Sequence, residues 1–251
     1  MMIEEKKISG LNGNQLKMIA IIAMTIDHLA WVLFPGFDTR WYVLLMHIIG
    51  RLTAPVMWFF IAEGYHYTHD VKKYMMRLFL FVFISHFAYD FAFGIPMIPF
   101  TTGFINQTSV MWSLALAVVL IIIRENENIS KGLKRLSVIG IGLLAFPSDW
   151  SIIAAMVPGS LLRHRGDLKK QAVDIVMWTA IYAIVYFFCL DKTYGIIQMF
   201  TFLAVPFLKM YNGQKGNWKG MKWFFYLYYP AHLLIIGILR ICLHGNIALI
   251  Q

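Results

Sequence analysis

Two adjacent ionisable residues, Asp27 and His28, lie inside the long apolar stretch at residues 16–34. An ionisable side chain at the centre of a bilayer costs about 2.5–3.5 kcal/mol on insertion scales, so it is rarely kept there without a task or a partner. A histidine titrates near neutral pH and can remove a proton from an amine or hydroxyl that attacks a carbonyl carbon. A neighbouring carboxylate can orient the imidazole and stabilise the imidazolium. These two residues therefore predict acid–base chemistry of the acyl-transfer type at membrane depth.

Polar residues recur at helical spacing in two further apolar stretches. His47 and Arg51 are four residues apart, as are His86 and Asp90, so each pair shares a helix face. Arg51 can neutralise a developing oxyanion or hold a substrate carboxylate. We therefore expect a common polar cavity. The structural alternative is that Arg51 and Asp90 pair to join two helices and that His47 is a hydrogen-bonded packing residue.

The carboxylate that orients His28 is not fixed by the pattern. Adjacent residues of one helix point about 100° apart, so Asp27 need not touch the imidazole of its neighbour. Asp90 and Asp149 are the alternative partners, and His232 is a further histidine in the last apolar stretch. The predicted catalytic set comprises His28, Asp27, Arg51, Asp90, Asp149 and His232.

Metal binding is the rival chemistry for buried histidines and carboxylates. The sequence contains no HExxH motif and no histidine-rich box, and His66 and His69 are the only close pair. Its two cysteines, Cys189 and Cys242, are far apart and too few for a cysteine cluster. We expect no metal site.

The composition places these residues in a membrane protein. Of the 251 residues, 59% are hydrophobic and only 14% are charged, with a mean hydropathy of +0.65. In an average soluble domain about half of the residues are apolar and about a quarter are charged. No small-residue cleavage site follows the first stretch, so a retained first helix is expected. Residues 1–251 are predicted to form one all-α, polytopic transmembrane bundle, with spans near 16–34, 42–64, 73–92, 109–124, 133–146, 150–163, 171–189, 194–210 and 222–243.

The basic residues predict the orientation of this bundle. Most of the 22 lysines and arginines, Lys6 and Lys7 among them, fall in alternate loops between the predicted spans. The positive-inside rule then favours a cytoplasmic N-terminus and an extracytoplasmic C-terminus in the cell membrane. The net charge of +9 is thereby explained by topology. Binding of nucleic acid has no separate support.

Three stretches of the chain resemble the TraX family of integral-membrane proteins. They are LNGNQLKMIAIIAMTIDHLAWVLFP in the first helix, residues 48–94, and FFYLYYPAHLL at residues 224–234. The resemblance implies an acetyltransferase, because the named member is associated with N-acetylation of F pilin. The family is also similar to transmembrane acyltransferases such as the acyltransferase-3 group and heparan-alpha-glucosaminide acetyltransferase. In those relatives a membrane histidine serves acetyl transfer, and His28 occupies that position. His86 departs from the family, which more often has a glutamate there.

The resemblance makes cytosolic acetyl-CoA the expected acyl donor. Lysine and arginine bind phosphate well, so the donor site is predicted at the inner ends of the second and third helices. Its residues would be Glu63, His66, Lys72, Lys73 and Arg77. The acceptor, a protein amine such as a pilin N-terminus, a glycan or a small molecule, would enter from the outer face near residues 93–108. That loop is expected to be either a lid over the site or a plain interfacial loop.

Two other classes of function fit the same residues. Buried Asp, His and Arg side chains in several spans also describe the proton relay of a small-molecule transporter. Many transporters contain internal repeats, and none is visible in this sequence. A non-catalytic assembly or scaffold protein of a secretion or conjugation apparatus is the third reading, and in it His28 would be dispensable for activity.

Overall fold

The computed structural model describes residues 10–98, 100–101 and 103–249, which form a bundle of helices. In this part of the chain, β-structure is limited to two isolated bridges. A 3₁₀ segment, Met199–Leu203, lies between the ninth and tenth α-helices. The helices are α1 (Gly13–Leu33), α2 (Trp41–Gly50), α3 (Thr53–Tyr67), α4 (Val71–Phe93), α5 (Val110–Glu125), α6 (Lys131–Ala145), α7 (Ser151–Arg163), α8 (Leu168–Cys189), α9 (Lys192–Gln198), α10 (Ala204–Lys209) and α11 (Met221–His244).

Every predicted helix has a counterpart in the structure, but two of them are broken. The helix predicted at 42–64 is divided between α2 and α3, and the one at 194–210 is divided by the 3₁₀ segment. Five helical stretches in the described residues are long and apolar enough to cross a bilayer: α1, α2 with α3, α4, α8 and α11. The all-α bundle with several apolar spans is therefore confirmed, whereas nine crossings stay a prediction. Lys6 and Lys7 lie outside the described residues.

Side-chain caps explain where several helices begin. Asn12 and Gln15 form a capping box at the start of α1, with bonds of 3.0 and 2.9 Å to each other's backbone amides. Asp70 accepts a 2.9 Å bond from the Lys73 amide at the start of α4. This bond, which satisfies an otherwise unpaired helix amide, lowers the pKa of the exposed Asp70 carboxyl.

The outward faces of the long helices are covered with large apolar side chains. Val173, Ile181 and Phe188 on α8 are 64%, 48% and 78% exposed, respectively. On α4, Leu80 and Phe83 are likewise exposed. Contiguous apolar surface of this extent is rare on soluble monomers and marks contact with a membrane or a partner. Its presence on several long helices of one bundle supports the bilayer as the surrounding medium.

Gly50 allows α1 and α2 to approach closely. A Cβ atom on Gly50 would lie 2.4 Å from the Cβ of Asp27, which is too short for two carbon atoms. We expect Gly50→Ala to force the two helices apart and to destabilise the fold by about 1–3 kcal/mol, as overpacking does elsewhere. Gly140 is the matched control, because it is exposed on α6 and its Cβ would meet no atom within 4 Å. Thermal unfolding in nanodiscs should show a lower Tm for Gly50→Ala only; equal Tm values would contradict the close approach.

Candidate active site

The first and last helices meet at two histidines. Thr25 Oγ1 on α1 lies 2.7 Å from the hydroxyl of Tyr228 on α11, and His28 Nδ1 lies 2.8 Å from His232 Nε2. Because residues further along α1 contact residues further along α11, the two helices are parallel. Both histidines are buried, with 8% and 5% of their surfaces exposed. The apolar stretch that contains Asp27 and His28 therefore contacts the last apolar stretch of the chain.

The hydrogen bonds of the two histidines fix their tautomers. His232 Nδ1 lies 3.0 Å from the backbone carbonyl of Tyr228, and a carbonyl can only accept, so this nitrogen carries a proton. In the neutral ring Nε2 is then bare and accepts the 2.8 Å bond from His28 Nδ1–H. The Nε2 of His28 is therefore unprotonated. Among the described residues, His28 forms its side-chain hydrogen bond through Nδ1, so the lone pair of Nε2 is available as a base.

His28 lines an internal pocket together with the other main polar groups of this region. The pocket lies between α1, the α2–α3 junction, the start of α5, the turn before α7, and α11. Trp58, Trp150 and several aliphatic side chains form its apolar wall. Its polar lining comprises Asp27, His28, Arg51, Thr53, Asp149 and Tyr229. Three of the six residues predicted as catalytic thus join His28 around one cavity, and His232 stands directly behind it.

Arg51 and Asp27 form a buried ion pair across α1 and the α2–α3 junction. Arg51 Nη2 donates to Asp27 Oδ1 at 2.7 Å, and His47 Nδ1 donates to the same oxygen at 2.9 Å. Arg51 also donates from Nη1 to Gln198 Oε1 (2.7 Å) and from Nε to the His47 carbonyl (3.1 Å). A guanidinium has five N–H donors, so two remain for a ligand in the pocket that Arg51 lines.

This pairing corrects two expectations about the carboxylates. Arg51 pairs with Asp27, so the alternative in which Arg51 pairs with Asp90 is wrong. His28 is oriented by His232, a neutral imidazole, and its expected carboxylate partner is absent among the described residues. The physical reason is the helical rotation between neighbours, which turns Asp27 towards α2 while His28 faces α11.

Asp149 reaches the pocket from a strained turn between α6 and α7. The two residues that follow it, Trp150 and Ser151, have positive φ angles of 60° and 45°. Left-handed conformations of non-glycine residues cost about 1–3 kcal/mol each and persist only where the surroundings impose them. Here the buried Ser113 hydroxyl bonds the Ser148 hydroxyl and donates to the Ser151 carbonyl at 3.0 Å. The strained turn therefore holds a carboxylate at the cavity.

Asp90 lies apart from this pocket. It is completely buried, and its Oδ2 is 3.3 Å from His86 Nδ1 on the same helix. His86 in turn contacts Thr108 Oγ1 at 3.1 Å and donates from Nε2 to the Met97 carbonyl at 3.0 Å. The pair therefore ties α4 to the 93–108 loop. The described residues of that loop do not line the pocket, so they do not form a lid over the site.

Glu63, predicted to bind the acyl donor, is engaged in an ion pair. The Glu63 carboxylate accepts a 2.7 Å bond from Arg165 Nε, and Arg165 Nη2 donates to the Tyr67 hydroxyl at 2.8 Å. The carboxylate raises the pKa of the Arg165 guanidinium, which lies in the turn before α8. Glu63 therefore fastens α3 to that turn. His66 is exposed and packs edge-on against Tyr67.

The predicted basic residues on α4 point to different places. Lys72 is exposed, and Lys73 forms a surface ion pair with Asp70 at 3.2 Å. Arg77 is partly buried and lies beside Tyr226 of α11. Of these three residues only Arg77 turns towards the helix that carries His232.

Sequence reasoning missed the partners that complete the site. Gln198, the last residue of α9, binds Arg51, and the Tyr228 carbonyl sets the histidine tautomers. The four-residue spacing of Tyr228 and His232 is the signal that could have indicated their contact.

Comparison with known proteins identifies the family. The chain matches the family described as TraX protein over residues 12–240. The chain belongs to the TraX family. It is 30% identical over 229 residues to the probable fimbrial assembly protein FimC, serogroup H1, of Dichelobacter nodosus. The aligned region covers 88% of this chain and 93% of that protein. The chain is 25% identical over 212 residues to the uncharacterized protein RP591 of Rickettsia prowazekii (strain Madrid E), which covers 78% and 76%. No solved structure matches it.

The TraX match confirms the resemblance seen in the sequence, and it encloses the whole candidate site. The matched range begins at the residue that caps α1 and ends within α11. It therefore includes His28 and His232 as well as the Asp27–Arg51 pair and Asp149. All residues that line the pocket lie within the part of the chain that matches the TraX family.

Proposed function

We propose that this TraX-family protein is a membrane-embedded acetyltransferase that moves an acetyl group from cytosolic acetyl-CoA to an amine or hydroxyl at the outer face. The observation that carries the proposal is the unprotonated Nε2 of His28, buried at a pocket that Arg51 also lines. The topology proposed with it has nine crossings, a cytoplasmic N-terminus and an extracytoplasmic C-terminus in the cell membrane. The family itself is associated with pilin acetylation, and one relative is named as a probable fimbrial assembly protein.

In the proposed reaction, the acceptor amine or hydroxyl attacks the thioester carbonyl while its proton passes to His28 Nε2. The C–N or C–O bond forms and the carbonyl electrons move to oxygen. The two remaining N–H groups of Arg51 stabilise this oxyanion. The tetrahedral intermediate then collapses, the C–S bond breaks, and the leaving thiolate takes the proton from the imidazolium. No other reactant is needed.

The residues around His28 support these steps in different ways. His232 Nε2 accepts the Nδ1–H bond of His28 and thereby stabilises the imidazolium without a charge of its own. Asp27 fixes the guanidinium of Arg51, and Asp149 offers a carboxylate to orient an amine acceptor. Asp90 has a structural role in this mechanism, because it contacts His86 and lies away from the pocket. The partners are acetyl-CoA, an acceptor protein, glycan or small molecule, and the surrounding lipid.

The test of the proposal is CoA release by the purified protein in nanodiscs, supplied with acetyl-CoA and a panel of acceptors. The panel contains a pilin-like peptide with a free N-terminus, an amino sugar and a primary alcohol. We expect acceptor-dependent release of CoA and a matching acetylated product. Proton-coupled uptake into liposomes, with neither binding nor turnover of acetyl-CoA, would establish the transporter alternative instead.

Substitutions of His232 test its part in the mechanism. His232→Ala removes the acceptor for His28 Nδ1–H, so we expect kcat to fall about 10–100-fold, as for a group that orients a catalytic base. In His232→Gln the side-chain oxygen can take the place of Nε2 as acceptor. This variant should retain most of the activity. If the Gln variant is as inactive as the Ala variant while both remain folded, hydrogen-bond acceptance by His232 is not its function.

A further inference from the structure

Two matching stripes of residues run along the facing sides of α1 and α11. Each stripe begins with a lysine near the start of its helix, continues with apolar or aromatic side chains and ends at a site histidine. The members follow one another at intervals of three or four residues, so each stripe occupies one helix face. The stripes are Lys17, Ile21, Met24 and His28 on α1, and Lys222, Phe225, Tyr229 and His232 on α11.

The lysines stand about one acyl-pantetheine arm away from the histidines. At 1.5 Å per residue, Lys17 is about 16 Å from His28 along α1, and Lys222 is about 15 Å from His232 along α11. An extended phosphopantetheine arm has a similar length. Because the two helices are parallel, both lysines lie at the same end of the helix pair.

A second, small cavity of about 10 Å³ lies between the two ends. It is lined mostly by apolar side chains of α1, α3 and α11. It shares four lining residues with the pocket at His28, so the two cavities are neighbours. The shared residues are Met24, Thr53, Met57 and Tyr229. The apolar side chains along this line suit an uncharged pantetheine arm, and they must move apart to admit it because the cavity is small. We call this line between α1 and α11 the passage.

A loop brings a third cation to the basic end. The backbone amides of Gly13 and Asn14 donate to the carbonyls of Gln214 and Lys215 at 2.7 and 3.0 Å. This places Lys215 one helical turn from Lys17. The loop fits closely because of Gly216, which has a φ of 91° and whose Cβ, if present, would lie 2.6 Å from Asn12 Oδ1.

The basic end lacks compensating acidic groups in the described part of the chain. Lys17 lies over the rings of Phe60 and Phe225 at 4.8 and 5.8 Å, and it makes no ion pair with the described carboxylates. Lys215, Lys222 and Arg77 likewise make no ion pair with the described carboxylates. Arg77 lies beside Tyr226 of α11. Four cations at one place repel one another, and a bound polyanion relieves that repulsion.

We infer that Lys17, Lys215, Lys222 and Arg77 bind the phosphate groups of the acyl donor, and that its acyl arm reaches His28 through the passage between α1 and α11. This inference rests on the proposed acetyl-CoA-dependent function and names its donor site. It keeps Arg77 and replaces the other four residues predicted from sequence. Glu63 is bound to Arg165 and Lys73 to Asp70, whereas His66 and Lys72 are exposed.

The experiment measures CoA binding and donor preference in phosphatidylcholine nanodiscs. The variants are Lys17→Met, which keeps the apolar stem on Phe60, Lys17→Arg, Lys215→Gln, and the control Lys169→Gln, an exposed lysine at the start of α8. The donors are acetyl-CoA and S-acetyl-N-acetylcysteamine, which has no phosphate. We expect Lys17→Met and Lys215→Gln to raise the Kd for CoA about tenfold, consistent with loss of a charged hydrogen bond. Turnover of the short donor, and the Kd of Lys17→Arg and Lys169→Gln, should remain close to wild type.

Three other outcomes would contradict either the phosphate site or the proposed function. Unchanged CoA binding in Lys17→Met and Lys215→Gln, in a protein that still transfers acetyl, overturns the phosphate site alone. Wild-type protein that neither binds CoA nor turns over either donor overturns the proposed function as well. Phosphatidylglycerol in the nanodisc is the last arm. The difference in Kd for CoA between Lys17→Met and wild type should persist in it, and loss of this difference would assign the cluster to lipid phosphate and overturn the inference.

Discussion

His28→Ala should lose acetyl transfer by about 10²–10⁴-fold, the range that general-base catalysis contributes. The alanine removes the only bare histidine nitrogen that the described structure presents to the pocket, so the acceptor must attack without a base. The measurement is acceptor-dependent release of CoA under saturating acetyl-CoA, with CoA binding measured alongside. Binding should remain close to wild type because the base lies at the far end of the donor passage.

The matched control for this variant is His69→Ala, which removes an exposed histidine outside the site. It should turn over at the wild-type rate. Full activity in His28→Ala would refute the mechanism and favour the reading of this protein as a non-catalytic assembly factor. Loss of both activity and the folded state would assign the effect to packing, which the unfolding temperature of the variant reports directly.

Asp27→Ala should cause the largest loss of stability. The substitution leaves the buried guanidinium of Arg51 without its carboxylate, and breaking a buried ion pair by removing one partner costs about 3–5 kcal/mol. His47 loses its acceptor as well, since its Nδ1 donates to the same oxygen. Thermal unfolding in nanodiscs should show a strongly reduced Tm, and activity should fall with it because Arg51 is no longer held at the pocket.

Two further variants give this prediction its controls. Asp38→Ala breaks the exposed ion pair with Arg40 and should leave the Tm almost unchanged, since solvent screens surface pairs. The double variant Asp27→Ala/Arg51→Met removes both charges and should recover part of the lost stability without recovering activity. A Tm for Asp27→Ala equal to that of Asp38→Ala would show that the buried pair contributes nothing.

Comparison of the two variants separates the roles of the adjacent residues. His28→Ala removes a base and should leave the helices packed, whereas Asp27→Ala removes the counter-charge that holds α1 to the α2–α3 junction. The expected pattern is therefore loss of activity without loss of stability for His28→Ala, and loss of both for Asp27→Ala. It follows from the direction in which each side chain leaves α1.

The sequence alone determined the class of this protein and the positions of its helices. Apolar runs of span length predict helices because backbone amides in lipid must bond within their own segment, and α1, α4, α8 and α11 all lie where such runs occur. The motif around His28 likewise identified the family. These properties depend on local composition and spacing, which are directly legible in a sequence.

Only the tertiary structure decided which polar side chains meet. Asp27 faces Arg51 while its neighbour His28 faces His232, and the partners are separated by 24 and 204 positions in the chain. Each contact depends on the rotation and register of one helix against another, and these are set by packing such as the close approach at Gly50. Periodicity places a residue on a face of its own helix but carries no information about the face opposite. For that reason the histidine pair and the position of Lys215 beside Lys17 could be recognised only in the folded molecule.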